Sequence, residues 1–464
     1  MNQKKPAPRR RNNKPQTSHN TPDRPGLAAR LCAARLLGAV IDKKTSLDGL
    51  TDNTHGHPQY LALEPRDRAL VRAILGSALR NRGAIERAIS KRLDRPLPDN
   101  AVALKHLLHV AVAQIFYLDL PDHSAVDLAV EAANSDPRNR KYAGLVNALL
   151  RRLSRNKERA LANDLPPENN VPEWFSKSII ETYGAEKAAS IFAMHAYEPP
   201  LDLTVKSDPE AWAEKLGGIM LPNGSVRLGA IEGALTDLPG FAEGEWWVQD
   251  VAASLPARLM GNIKDKRVAD LCAAPGGKTA QLVQQGAKVT ALDLSENRLK
   301  RLRGNLERLG FEAETIATNL LDYKPDELFD AVLLDAPCSS TGTVRRHPDI
   351  PWTKTRADIE KLASLQAKLL THTATLVKPG GTIVFSNCSL HMEEGEYVAR
   401  TAAENPLLEP YPITLEDCPG LDGLITPEGY LRSTPADLPP DHFDGNRRLA
   451  GMDGFFAARF KRTT

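Results

Sequence analysis

The sequence predicts three folded parts in one chain: an all-α bundle, a small α+β module and an α/β domain built on a parallel sheet. Three observations lead there. From Gly26 to Arg155 apolar residues recur at helical spacing. From Trp246 onward, short apolar runs alternate with amphipathic stretches, the rhythm of a parallel sheet with helices on both faces. The charge also changes sign along the chain. Residues 1–159 hold 29 Lys and Arg against 15 Asp and Glu, net +14, and the remainder holds 31 against 43, net −12. The overall +2 of this 464-residue chain is therefore an average over two unlike parts. With 42% hydrophobic and 25% charged residues, wholesale disorder is excluded.

Taken in order, residues 1–25 form a polar, Pro-rich tail with seven basic residues and one acid, which cannot bury enough apolar surface to order itself. Residues 26–159 are the bundle. Leu27, Leu31, Ala34 and Gly38 mark one helical face, Ala69, Ala73, Leu75 and Leu79 another, and Leu104, Leu107, Leu108, Ala111 and Ile115 a third. Ser124 reads as the N-cap of a helix over Ala125–Asn134, and Lys141–Leu153 closes the set. Residues 160–245 are a Pro-rich connector with helices at Trp174–Tyr183 and Ala185–Ala196. The α+β module follows it, with strands Leu201–Val205 and Val226–Leu228 and a helix Pro209–Leu216.

In residues 246–464 the expected strands are Arg267–Leu271, Lys288–Leu292, Ala331–Leu334, Thr382–Ser386 and, last, Gly454–Arg462. Expected helices are Lys278–Gln284, Glu296–Leu309 and Arg356–Leu376. No run of about 18 apolar residues predicts a membrane span. The N-terminus lacks an apolar signal core, so the expected compartment is the cytosol. Five widely spaced cysteines without a CxxC pair speak against a disulfide framework and a zinc site.

The segment Ala269–Leu282 (ADLCAAPGGKTAQL) reads as strand, Gly-rich turn and helix, and the next strand ends in Asp293. Glycines let a ligand approach the backbone, and an acid ending the second strand accepts from ribose hydroxyls, as in Rossmann-like folds. A phosphate-binding P-loop competes, because Gly277–Lys278–Thr279 ends like one and Asp335 closes an apolar strand. That loop needs a glycine where Cys272 stands. The full GxGxxG of a nicotinamide site is also missing. A nucleoside-bearing cofactor such as S-adenosylmethionine fits, since it needs ribose contacts and no pyrophosphate cradle.

Two cysteines fall just past predicted strands, Cys338 in LLDAPCSSTG and Cys388 in IVFSNCSL. A buried inert thiol is the usual fate of cysteine. Two at the mouth of one sheet, with Asp335 nearby, point instead to nucleophilic chemistry. Methylation of a pyrimidine at carbon 5 requires such a nucleophile, because that carbon attacks a methyl sulfonium only after a thiolate has added to carbon 6. Amino-group methyltransferases need no cysteine, and their usual Asp/Asn-Pro-Pro-aromatic loop is absent.

LCAAPGGKT, LLDAPCSSTGTVRRHPDI and NCSLHMEEGE closely resemble the signatures of RNA 5-cytosine methyltransferases of the Sun/RsmB group. Leu238–Asp250 matches the segment that opens their catalytic domain. AVDLAVEAANSD and KYAGLVNALLRRL resemble the NusB-type RNA-binding domain of the bacterial branch. The resemblance implies Cys388 as nucleophile, Cys338 as the residue assisting product release, and Asp335 as a contact to the base. It implies that Cys272, Ala273, Ala274, Pro275, Gly276, Gly277, Lys278, Asp293, Asn319 and Asp335 hold S-adenosylmethionine. Asn319 stands where the family has Asp, and Asn387 where it has Thr. Arg345, Arg346, His347 and Asp349 would shape the RNA side of the site.

The expected partner is 16S rRNA or a small-subunit assembly intermediate, met by a monomer without metal or membrane attachment. The rival reading is a non-catalytic RNA-binding or antitermination-like factor with a degenerate methyltransferase domain. Retention of Cys338, Cys388, Asp335 and Asp293 argues against it.

Overall fold

The apolar stripes of the first part become packed helices in a computed structural model that describes residues 24–161, 166–231 and 233–463. Most of the basic tail read at 1–25 lies outside the described residues. Helices Leu27–Lys43, Pro65–Arg80, Val102–Tyr117, Asp122–Ser135 and Ala143–Arg155 pack around Leu36, Leu37, Ile74, Leu108, Val146 and Leu150, all fully buried. Two details differ from the sequence expectation. The second stripe runs through Val71, Ile74, Leu75 and Ala78, leaving Ala69 and Ala73 outside, because the larger side chains gain more by burial. The helix expected from Ser124 starts at Asp122, and Ser124 donates its backbone N–H to Pro121 inside the first turn rather than capping it.

In the connector the two expected helices lie within Glu173–His195 on either side of Gly184, whose φ of 76° and ψ of 164° depart from helical geometry. The α+β module contains β1 (Leu201–Val205), β2 (Ile219–Met220), β3 (Val226–Leu228) and β4 (Trp246–Val248), in the order β2-β3-β1-β4. Trp246–Val248, placed by the sequence reading at the start of the catalytic part, is thus the edge strand of the smaller sheet. It pairs antiparallel with β1, a long-range pairing that local patterning does not reveal.

The larger sheet comprises β5 (Arg267–Leu271), β6 (Lys288–Asp293), β7 (Glu314–Ala317), β8 (Phe329–Asp335), β9 (Val377–Asn387), β10 (Leu408–Pro410), β11 (Leu431–Ser433) and β12 (Phe455–Arg462). Its order is β10-β12-β9-β8-β5-β6-β7, with β11 beside β12. Strands β5 to β9 are parallel, and β12 runs antiparallel to β9. The inner strands read as unbroken apolar runs because helices cover both faces. Helix Glu296–Leu309, N-capped by Ser295, buries Leu299, Leu302, Leu306 and Leu309. Helix Arg356–Thr373 starts at a capping box of Thr355 and Asp358. The edge strand β7 was not foreseen: its burial is only partial, so it carries no apolar run. From β5 the chain moves outward through β6 and β7, then returns to β8 on the other side. A crevice opens outside the carboxyl ends at such a reversal.

Candidate active site

The cysteines and the cofactor-loop candidates lie at that carboxyl edge. The loop Cys272–Gly276 leaves β5, Asp293 ends β6, Asp335 ends β8, and Cys338 and Cys388 follow β8 and β9. Strands β8 and β9 are in register with Asp335 opposite Ser386. This pairing brings Cys338 Sγ to 3.3 Å from Cys388 Sγ. Gly342 permits the approach: its N–H donates to Cys388 O at 2.9 Å, and a Cβ there would stand 1.9 Å from Gly454 O.

The two thiols are in hydrogen-bond contact and perturb each other in opposite directions. The hydrogen bond from Cys338 lowers the Cys388 pKa below the ordinary thiol value, against burial and the charge of Asp335. The same contact raises Cys338 well above its ordinary value, with burial and the charges of Cys388 and Glu394 adding to it. Cys388 is therefore the thiolate-prone member and Cys338 the proton holder. Asp335 accepts from Lys278 Nζ at 2.7 Å and from Ser386 Oγ at 2.9 Å, so both carboxylate oxygens are oriented. Lys278, assigned by resemblance to the cofactor, thereby also belongs to the cysteine side of the site.

A cavity of about 480 Å³ adjoins this cluster, lined by Trp247, Gln249, Ala273–Lys278, Asn305, Arg308 and Asp335. The loop Ala273–Lys278 and Asp335 thus line it, whereas Asp293 and Asn319 are not among its lining residues. Gly276 has φ 103°, and a Cβ there would meet Leu302 at 2.8 Å, so the turn lies tight against its neighbouring helix. Cys272 is a structural member of this loop at φ 63°; burial first, then the nearby carboxylates, push its thiol up to about 12. Asp293 is buried and accepts from the N–H groups of Ala274 and Ser295 at 3.3 and 2.9 Å. Arg298 bridges it (3.2 Å) to the carbonyl of Ala274 (2.5 Å). Asn319 adjoins the end of β6 through the Thr318–Asp293 backbone bond. Its own side chain caps the turn Leu320–Asp322 and donates to Asp322.

The arginines expected on the RNA side lie elsewhere. Arg345 is 1% exposed, and Arg346 bonds Asp250 at 2.5 Å and Asp453 at 3.0 Å. Two arginines and two buried acids neutralise one another there, so both guanidiniums are committed to structural ion pairs. The following residues dock the bundle. His347 pairs with Asp48 at 3.0 Å, Asp349 accepts the N–H of Leu47 at 2.9 Å, Arg80 donates to Arg345 O at 2.8 Å, and Trp352 packs on the bundle core. Burial opposes charge on His347, but the hydrogen bond and charge of Asp48 outweigh it and raise its pKa. The stabilisation is therefore complete below about pH 6.5, the unperturbed value, and is lost as pH rises through the folded value. Unfolding midpoints measured against pH should fall across that window, and D48N should flatten the fall.

Sequence reasoning missed Glu394, Arg298, Trp247 and Gln249. Arg298 stands in the first turn of an Arg-rich surface helix that starts at Glu296, where nothing in the sequence separates it from solvated neighbours. Glu394 sits in an acidic run that reads as a solvated face.

The family model for 16S rRNA methyltransferase RsmB/F matches residues 258–461, and that of the NusB family matches 27–155. The ribosomal RNA small subunit methyltransferase B of Xanthomonas campestris pv. campestris is 38% identical, covering 81% of this chain and 89% of its own. The chain belongs to the RsmB/F family of 16S rRNA methyltransferases. It is an rRNA methyltransferase whose methyl donor is S-adenosylmethionine. The Klebsiella pneumoniae relative of the same description is 34% identical, covering 87% of this chain and 96% of its own. Among solved structures, the fold of PH0851 superposes with a TM-score of 0.66 at 21% identity, covering 94% of this chain and 98% of that one. A methyltransferase homolog protein from Pyrococcus horikoshii gives 0.51 at 27% identity, covering 62% and 94%.

Proposed function

We propose that this chain methylates carbon 5 of a cytosine in 16S rRNA through a covalent bond between Cys388 and the pyrimidine ring. The observation that carries the reading is the pair of thiols in contact beside Asp335 at the mouth of the sheet. An amino-group methyltransferase has no use for such a pair. Cys388, kept acidic by Cys338, adds its thiolate to carbon 6, and the ring's electron pair moves so that carbon 5 becomes enamine-like. As the thiolate adds, nitrogen 3 takes a proton that Asp335, oriented by Lys278 and Ser386, holds against the ring, and it gives that proton up again on release. S-adenosylmethionine supplies the electrophilic methyl group. A base then removes the carbon 5 proton, the bond from carbon 6 to Cys388 Sγ breaks, and Cys338 assists that release. Cys272–Lys278, Asp293 and Asn319 would hold the methyl donor, whose ribose hydroxyls would hydrogen-bond to the Asp293 carboxylate in place of Arg298.

The target cytosine must be unpaired or flipped out to reach both thiol and methyl group. The basic bundle, residues 26–159, supplies the attraction to phosphates, and the enzyme acts in the cytosol on 16S rRNA or an assembly intermediate. Exposed Lys141, Arg152 and Arg155 belong to its basic surface. Neutralising all three should lower the salt-dependence slope of RNA binding by about 2–3 units, read from affinities over a salt series. Bisulfite mapping of 16S rRNA from cells with and without the protein tests the chemistry. A cytosine that loses its protection without the protein supports carbon 5 methylation; an unchanged map contradicts it.

A further inference from the structure

Each of the two facing cysteines is followed directly by a serine, and both serines turn to one buried carboxylate. Glu394 has no exposed surface. Its Oε1 accepts the N–H of Ser339 at 2.8 Å, and its Oε2 accepts the hydroxyls of Ser339 and Ser389 at 2.5 Å each. Gln366 Nε2 lies 3.4 Å from Oε1 and donates to Pro337 O at 2.9 Å. From the other side Asn387, the residue before Cys388, donates to Glu394 O at 2.6 Å and accepts the N–H of Ser389 at 3.0 Å. The segments on both sides of the thiol pair thus converge on a single residue of the loop after β9.

That convergence matters because the strand ladder stops short of the thiols. Its last rung is Ala336 N–H to Ser386 O at 2.8 Å, two residues before each cysteine. Beyond it the spacing of the sulfurs depends on how the loops are tied, and a fully bonded buried carboxylate is a stiff tie. We propose that Glu394 is a positioning residue that clamps the two cysteine loops so that the thiols stay in contact, and that this clamp sets the reactivity of Cys388. The inference rests on reading Cys388 as the nucleophile. Glu394 itself hydrogen-bonds to neither sulfur; it acts through Ser339 and Ser389. In its ionised form Glu394 also raises the Cys338 pKa, while burial raises its own.

The test is the rate at which iodoacetamide alkylates Cys388 in the full-length protein, followed by mass spectrometry between about pH 6 and pH 10. In E394A the rate at neutral pH should fall about tenfold with an unchanged alkaline plateau, a rise of roughly one unit in the apparent thiol pKa. The C338A variant should show the same shift, and E394A added to C338A should shift the profile no further, because the clamp works through the contact between the thiols. A folded E394A protein with a lower unfolding midpoint and a wild-type alkylation profile overturns the proposal, since Glu394 is then only structural. Should E394A fail to fold, S339A/S389A decides by the same criterion, because it keeps the carboxylate and removes both hydroxyl arms. The readout needs no RNA. An unchanged profile sinks the clamp and leaves the methylation reading intact; an unchanged bisulfite map sinks that reading and leaves the alkylation result standing.

Discussion

Replacing Cys388 with Ala should reduce methyl transfer to 16S rRNA by at least about a thousandfold, because no other group described at the site can take over the addition to carbon 6. The substitution removes one partly buried sulfur and leaves the backbone contact from Gly342 in place, so the fold and cofactor binding should survive. Replacing Cys338 with Ala should have a different signature. Addition and methyl transfer can still proceed, but release slows, and a protein–RNA adduct that survives denaturation should accumulate. The double variant should form no adduct. Gel mobility under denaturing conditions, with labelled RNA and methyl donor, reads all three. An adduct in C388A, or full activity there, would reverse the assignment; absence of adduct in a still-active C338A would remove the release role from Cys338.

The pH dependence follows from the same pair. Because the contact with Cys338 holds Cys388 below the ordinary thiol value, nucleophilic reactivity persists to lower pH than for a free cysteine. Removing Cys338 therefore moves that limit upward as well as slowing release.

The cysteine pair, the loop after β5 and Asp293 were legible in the sequence because each sits in a short stretch whose local pattern, a strand end followed by a turn, already places it at the sheet's mouth. The long helices and inner strands were legible for the same reason: their periodicity is local. What escaped depends on burial and on contacts between distant segments. Trp246–Val248 looks like any short apolar run until β1 claims it. Glu394 and Arg345 carry charges, and charge in a sequence suggests solvent; only the assembled fold shows them satisfied inside. The acidic remainder of the chain thus spends two of its arginines on itself, and on the function proposed above still more of the attraction for RNA falls to the bundle.

Replacing Arg346 with Ala should destabilise the catalytic part by about 3–5 kcal/mol, the usual cost of stripping one partner from a buried ion pair. Asp250 and Asp453 are 7% and 4% exposed, and Asp453 N–H donates to Asp250 Oδ1 at 3.0 Å, so the two carboxylates are held side by side. Arg346 supplies the short contacts to both, while Arg345 stands 3.9 and 3.7 Å away and is partly engaged by Ala450 O. Without Arg346, the paired acids are left with the more distant Arg345 and Arg227, so they stay poorly paired or must take up a proton. The unfolding midpoint should drop by roughly 6–20 °C. D453N in the same chain should recover part of the loss, because it removes the excess charge, and the double-mutant cycle measures that coupling. The salt-dependence slope of RNA binding should stay as in the wild type. If Arg346 touched a phosphate instead, the slope would fall by about one unit and the midpoint would hardly move. The two accounts therefore predict opposite patterns in the same pair of measurements, and the buried geometry of Asp250 and Asp453 decides for the first.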